Sequence, residues 1–348
     1  MAESSPAGVD LDALAAWARV ALPRAVPPFT GQVIAGGRSN ITVHVVDARG
    51  TQYVVRRPPL HGVLPTAHDM GREHRIIVAL GPTDVPVPDA LAMCTDPDVL
   101  GAPFYVMAYV EGTVLNDAAT AEAALDIEGR GRASATLMDA LVALHAVDPD
   151  AVGLGDLAKK DDYVARQLRR WHRQFEQSRQ RDLPSVDRVH DLLASRIPPQ
   201  TEGRIVHGDF RLGNCIVGPD GALRAVLDWE LCTLGDPLAD VGYVLATWAR
   251  PHDDRMADSN APTVLPGFAE RDELLARYAT ASGRSVDAVE FYVAFSLWRL
   301  ACILEGVYAR ARAGAQGDTR IDPEVYRRRV DDAAALAEEH ATRFAAQG

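Results

Sequence analysis

Cysteine is scarce and unpaired in this chain: Cys94, Cys215, Cys232 and Cys302 lie far apart, with no C-x-x-C pair and no disulfide-framework spacing. Four reduced, mostly buried thiols are expected. Long apolar runs are also missing, and no stretch reaches the length needed to span a bilayer. The first residues, MAESSPAGVD, carry no basic segment followed by an apolar run. Together these absences point to a soluble, cytoplasmic protein without a membrane partner. An excess of positive charge is the third absence. A net charge of −12 argues against a phosphate-tracking nucleic-acid binder, which needs clustered Lys and Arg to displace counterions. Arginine supplies most of the positive charge, a bias of composition. The acidic surface serves solubility and would also favour a cationic substrate. Neither an internal repeat nor a low-complexity tract is present.

What is present suffices for a large core: 348 residues, 47% hydrophobic and 24% charged, a length that suggests two lobes. Asp10 can cap a short helix with Leu11, Leu14, Ala15 and Ala18 on one stripe, ended by Pro23. QVIAGG, ITVHVVD and TQYVVRR then read as successive strands, joined by GGRSN and ARG. Gly71 to Leu80 reads as a helix carrying Glu73, and Phe104 to Gly112 as a buried strand with an exit turn. Beyond Gly112 the pattern is mostly helical, over Ala133–His145, Asp162–Gln180, Val186–Ser195, Pro237–Trp248 and Val286–Ala313. IVHGDF starts as a strand, and CIV with ALRAVLD forms a hairpin around GPDG. The expected class is α+β: a small N-terminal lobe with an antiparallel sheet over residues 1–110, and a larger helical lobe over 111–348.

The chemistry concentrates in HGDFRLGN, from His207 to Asn214, and in LDWE, which contains Asp228. An Asp, four intervening residues and an Asn, then an Asp on a later turn, is the protein-kinase arrangement. There the first Asp takes the acceptor's proton and the other two residues hold Mg²⁺. Asp209 is therefore the candidate base, with His207 supporting its loop. Asn214 and Asp228 are the candidate Mg²⁺ ligands, because that hard ion prefers oxygen donors. The hairpin accounts for the long gap between these two ligands. Phosphoryl transfer also needs a cation on the third strand, paired with an acid on the following helix. Arg56 and Glu73 fit those positions, although the usual lysine is missing and Arg57 is adjacent. Ser39 and Asn40 follow Gly36 and Gly37, in a turn able to cover phosphates. Ala108 to Val110, including Tyr109, would meet the nucleotide base through backbone groups, with Met107 as an apolar wall. Asp236 can cap the helix that Pro237 begins, and Asp240 can brace the catalytic loop. Arg166, Trp171, Trp229 and Glu230 are candidates for the acceptor pocket.

HGDFRLGN, LDWE and GDPLAD resemble motifs of the aminoglycoside phosphotransferase-like kinases, and the resemblance covers nearly the whole chain. YVARQLRRWHRQ from Tyr163, VLDWELCTLGDPLADVGY from Val226 and FYVAFSLWRLACILEGVYARA from Phe291 are similar to the branch fused to acyl-CoA dehydrogenases. The resemblance implies a two-lobed protein-kinase-like fold with nucleotide in the interlobe cleft. It implies ATP or GTP as donor, Mg²⁺ as cofactor and a small-molecule hydroxyl as acceptor. A hydroxyacyl compound and an aminoglycoside both remain open as acceptors, as do the oligomeric state and the choice between Arg56 and Arg57. Gly213 departs from the pattern, which places an acidic residue before the Asn. Two rival readings are a catalytically silent nucleotide binder of the same fold and a metallohydrolase using His207, Asp209, Asp228 and Asp236. The latter lacks a second histidine at ligand spacing.

Overall fold

The structure, a computed structural model, describes residues 6–34, 40–60, 69–253, 255, 260–313 and 322–347. The chain divides into two compact units, Met1–Gly112 with Arg224–Leu231, and Thr113–Leu223 with Cys232–Gly348.

In the first unit, α1 (Leu11–Ala21) begins where the Asp10 carboxylate accepts the N–H groups of Asp12 and Ala13. It packs Leu14 and Ala18 onto a sheet, and Trp17 meets Phe104 edge to face at 4.8 Å. That sheet has the strands β1 (Thr30–Val33), β2 (Ile41–Val46), β3 (Gln52–Arg57), β4 (Ala90–Cys94) and β5 (Phe104–Ala108), in the order β1-β2-β3-β5-β4. Each neighbouring pair is antiparallel. The pattern of ALAMC carries no clear alternation, so β4 is absent from the sequence reading; pairing with β5 makes it a strand. Between β3 and β4, α2 (Met70–Leu80) buries Met70, Glu73, Ile76, Ile77 and Leu80. Glu73 thus occupies the helix's apolar stripe, and a buried carboxylate there requires a partner. The short α3 (Pro97–Leu100) precedes β5.

The second unit is mostly helical. α4 (Ala118–Ala124), α5 (Ile127–Ala146), α6 (Tyr163–Ser178) and α7 (Pro184–Ser195) lead to β6 (Arg204–Val206) and β7 (Cys215–Val217). Gly218 N–H bonds back to the Ala222 carbonyl, closing the turn expected at GPDG. Most of β8 (Leu223–Val226) belongs to the first unit, together with the turn carrying Asp228. β9 (Thr233–Gly235) returns to the second unit and pairs antiparallel with β6. The helices α8 (Leu238–Thr247), α9 (Arg271–Ser282), α10 (Val289–Arg312) and α11 (Pro323–Ala345) complete it. α10 corrects one expectation, since by length and composition it is apolar enough to cross a bilayer. However, 83% of its apolar window is buried within the protein, against α6, α7, α8 and α11. All four cysteines are buried and free.

Candidate active site

Strand alternation decides between the two arginines of β3. Arg57 points to the α1 side, where its guanidinium donates to the carbonyls of Gly8, Pro58 and Leu100. Arg56 lies on the other face, aligned across the sheet with Thr42 and Tyr105. Its Nε is 3.0 Å from the Glu73 carboxylate and its Nη2 is 2.6 Å from Asp228 Oδ1. One planar guanidinium therefore bridges two acids within the first unit. Burial opposes its charge, but Glu73, Tyr105 and Asp228 hold its pKa above the ordinary arginine range. Burial pushes the Glu73 carboxyl up, and Arg56 counters that shift. Met107 aligns with Val54 and therefore shares the Arg56 face. His44 is on this face too, its ring 4.6 Å from that of Tyr109, which ends the same run as Val110. Asn40 is buried, and neither its amide oxygen nor its amide nitrogen has a partner among the described residues. A polar ligand such as a phosphate would satisfy it. Ser39 lies outside the described residues.

In the second unit, the chain leaves β6 into the loop His207–Asn214. Asp240, on the first turn of α8, accepts the N–H groups of His207 at 2.7 Å and Gly208 at 2.8 Å. Behind it, His145 Nε2 lies 3.4 Å from the same carboxylate, and His145 Nδ1 is 2.8 Å from the Tyr278 hydroxyl. Burial would raise the Asp240 carboxyl, but His145, His207 and the Gly208 N–H outweigh it and hold the group below its ordinary 3.8. Gly208 needs a left-handed backbone, φ +83°, and Arg299 of α10 caps its carbonyl at 2.7 Å. Asp209 N–H bonds to Nδ1 of the fully buried His207 at 3.2 Å. The Asn214 amide donates to the Asp209 carbonyl at 2.8 Å and to Asp209 Oδ2 at 2.7 Å, fixing that carboxylate's rotamer. Burial and the bonded Asp209 carboxylate raise the Tyr243 phenol, whose ring also stacks under Arg299 at 4.8 Å. Arg211 Nε lies 3.6 Å from Asp209 Oδ1.

The donor sets suit a hard cation. Asn214 spends its NH₂ on Asp209 and keeps its amide oxygen, while Asp228 spends one oxygen on Arg56 and keeps the other. Asp228 takes a left-handed φ of +66°, unusual for a residue with a side chain. Asp236 is committed elsewhere, accepting from Leu238 N–H at 2.9 Å and the Tyr292 hydroxyl at 2.7 Å. Of the four residues in the metallohydrolase reading, Asp236 therefore has both carboxylate oxygens engaged within its own unit. A different cluster, His172, Glu176 and Asp187, brings ligand-type atoms within 4.8 Å of one another. Arg179 already bridges both of its carboxylates.

Two of the residues offered for the acceptor pocket are buried. Trp229 is fully buried in the first unit, with its indole N–H on the Val226 carbonyl. Trp171 is buried along α6 and bonded to Gln167. Large flat side chains fill the core beside polar motifs as readily as they line a pocket, and both indoles here have their N–H bonded inside the protein. The Glu230 carbonyl receives Arg72 at 3.5 Å, and Arg166 lines a basin on the second unit. Tyr105, Tyr243, Arg299 and His145 were not singled out from the sequence. Tyr243 had a signal, standing one helical turn from Asp240 within GDPLADVGY. The α8 start is also one residue later than expected, at Leu238.

The profile of the phosphotransferase enzyme family matches residues 30–287. A mouse protein, acyl-CoA dehydrogenase family member 10, is 37% identical over 290 residues, which is 80% of this chain and 26% of that protein. The chicken family member 11 is 34% identical, over 80% of this chain and 36% of its own. The chain thus spans about a quarter to a third of the length of these curated relatives. A solved structure from Ralstonia eutropha, whose assignment as an aminoglycoside phosphotransferase is provisional, is 32% identical. It superposes with a TM-score of 0.80 over 96% of this chain and 98% of its own. Choline kinase from Cryptosporidium parvum, at 12% identity and a TM-score of 0.68 over 97% of both chains, shares the kinase-like fold.

Proposed function

Because the chain belongs to the phosphotransferase enzyme family, we propose that it moves the γ-phosphate of ATP or GTP onto a hydroxyl of a small metabolite. The observation that carries this reading is Asp209, a carboxylate on a loop held by Asp240 and Arg299, its rotamer fixed by Asn214. Asp209 would accept the acceptor's proton as the hydroxyl oxygen attacks the γ-phosphorus. The bond to the β-phosphate oxygen breaks, and the nucleoside diphosphate departs. Arg56, held by Glu73, would meet the phosphates, with Asn40 and Ser39 beside them; Met107, Tyr109 and Val110 would receive the base. Mg²⁺ on Asn214 and Asp228 would neutralise charge on the transferring phosphate. His207 supports the loop rather than the substrate, since it is buried and accepts the Asp209 N–H.

For the acceptor, the acyl-CoA dehydrogenase family relatives favour a hydroxyacyl compound. The provisional name of the Ralstonia eutropha protein keeps an aminoglycoside as the second reading. Mg²⁺-dependent turnover of ATP and GTP, followed over a panel of hydroxyacyl thioesters and aminoglycosides, tests both. A phosphorylated hydroxyacyl product from the wild type, with nucleotide binding but no product from Asp209→Asn, is the expected result. Nucleotide binding without transfer to any panel member would make the chain a silent binder and defeat the proposal.

A further inference from the structure

The chain contains only two lysines, and they are adjacent, Lys159 and Lys160, in a molecule whose other cations are all arginines and histidines. With Arg166 and Arg169 they line a basin of about 550 Å³ on the second unit, whose lining holds these four cations and two acids, Asp161 and Asp162. Its local charge is thus opposite to the chain's net −12.

The wall of this basin is held at several points. Arg166 Nη2 donates to the Lys159 carbonyl at 2.6 Å, and Gln200 Nε2 donates to the Lys160 carbonyl at 2.6 Å. Gln200 Oε1 receives the Tyr163 N–H at 3.1 Å. The stem of Lys160 rests on Gly203, where a Cβ would collide with it, and its ammonium pairs with Asp150. That pair is surface-exposed, at 34% and 65%, and so is weak enough to be redirected to a ligand. Neither Lys159 nor Arg169 has an ion-pair partner among the described residues, although both are exposed. Elsewhere on this acidic surface Arg188, Arg277 and Arg327 sit against carboxylates. A fixed backbone presenting two unpaired cations and two recruitable ones into one basin is the chemistry of a phosphate receptor. Lysine contributes a compact point charge with rotatable donors, and arginine a planar fork.

We infer that the Lys159–Lys160–Arg166–Arg169 basin is a second anion-binding site, for the phosphate of a small organic molecule. The volume exceeds what a bare phosphate fills and falls within the range of small-molecule pockets. The inference does not depend on the phosphotransfer reading: Lys159, Lys160 and Arg169 have no part in that reading, and Arg166, offered from the sequence for the acceptor pocket, is left unchanged in the test below.

The lysine content supplies the assay. Reductive ¹³C-dimethylation keeps the ammonium charge and labels Lys159, Lys160 and the α-amino group alone, so the two lysine NMR signals report on this basin. Inorganic phosphate, pyrophosphate and glucose 6-phosphate are titrated separately against sodium chloride at matched ionic strength. The expected result is a saturable shift of both lysine signals, half-maximal below about 1 mM and tightest for glucose 6-phosphate. Tighter binding of pyrophosphate or phosphate than of the sugar phosphate would overturn the organic-molecule assignment. In Lys159→Ala/Arg169→Ala, two exposed positions, the thermal midpoint should hold while affinity, read from Lys160 and by calorimetry on unmodified protein, falls at least about tenfold. Shifts linear in concentration and equal to those of chloride would overturn the inference, as would undiminished binding in the double variant.

Discussion

Arg56 and Asp240 are each the hub of a polar cluster, but they grip different things. Arg56 holds side chains, the carboxylates of Glu73 and Asp228. Asp240 holds main chain, the N–H groups of His207 and Gly208, while Arg299 takes the Gly208 carbonyl from α10. A side-chain ion pair can exchange one partner for a ligand without moving the backbone. A buried charge bonded to backbone fixes the loop itself. The first cluster is therefore suited to receiving an anion, and the second to keeping Asp209 in one place, as electrostatic preorganisation requires.

Breaking the chemistry without breaking either hub should have the largest effect. Asp209→Asn is expected to lower kcat by about 10²–10⁴-fold at an unchanged thermal midpoint, and a turnover assay beside a melting curve checks both. Full activity in that variant would remove Asp209 from the proposed role.

Next comes the backbone hub. Asp240→Ala strands two buried N–H groups, each costing roughly 1–3 kcal/mol, and should lower the urea midpoint and abolish turnover together. Its pH signature follows from the depressed carboxyl. The folded-state pKa lies below the unfolded one, so the stabilisation is complete above 3.8 and is lost as the pH falls through the folded value. The stability gap between wild type and Asp240→Asn should be flat above about pH 5 and should narrow in more acid solution. A gap that widens there would contradict the assigned bonding.

The side-chain hub should be more forgiving. Arg56→Lys keeps the charge but cannot fork between Glu73 and Asp228. We expect nucleotide affinity, measured calorimetrically, to fall about tenfold, with folding little changed. Should the main effect instead be unfolding, Arg56 is chiefly structural.

Gly213→Asp should have the smallest effect. A Cβ at 213 would collide with the Arg211 guanidinium, so the absence of an acid there leaves Arg211 room beside Asp209. The new carboxylate should draw Arg211 away and change kcat/KM only a few-fold, on the scale of an exposed pair of about 1 kcal/mol or less. A change of several orders of magnitude would place Arg211 at the centre of the chemistry.

The legible parts of this molecule share a feature, which is locality. The Asp209–Asn214 contact spans five residues of one loop, and Asp10 reaches only to the next turn of its helix. Glu73 was legible as the acid on the helix that follows the third strand, the place where phosphoryl transfer needs a partner for the strand's cation. Less legible were β4, whose strand state depends on β5, and the two tryptophans, whose chemistry suits core and pocket equally. Arg299 could not be read at all, because the carbonyl it caps lies 91 residues away.

The sequence by itself determined the inventory and spacing of the catalytic loop, the amphipathic helices and the charge balance, since these depend on neighbours a few bonds apart. Tertiary structure alone decided which of two adjacent arginines meets Glu73. A strand's two faces are equivalent in sequence until other elements cover them, and here α1 took the Arg57 side while α2 brought Glu73 to Arg56.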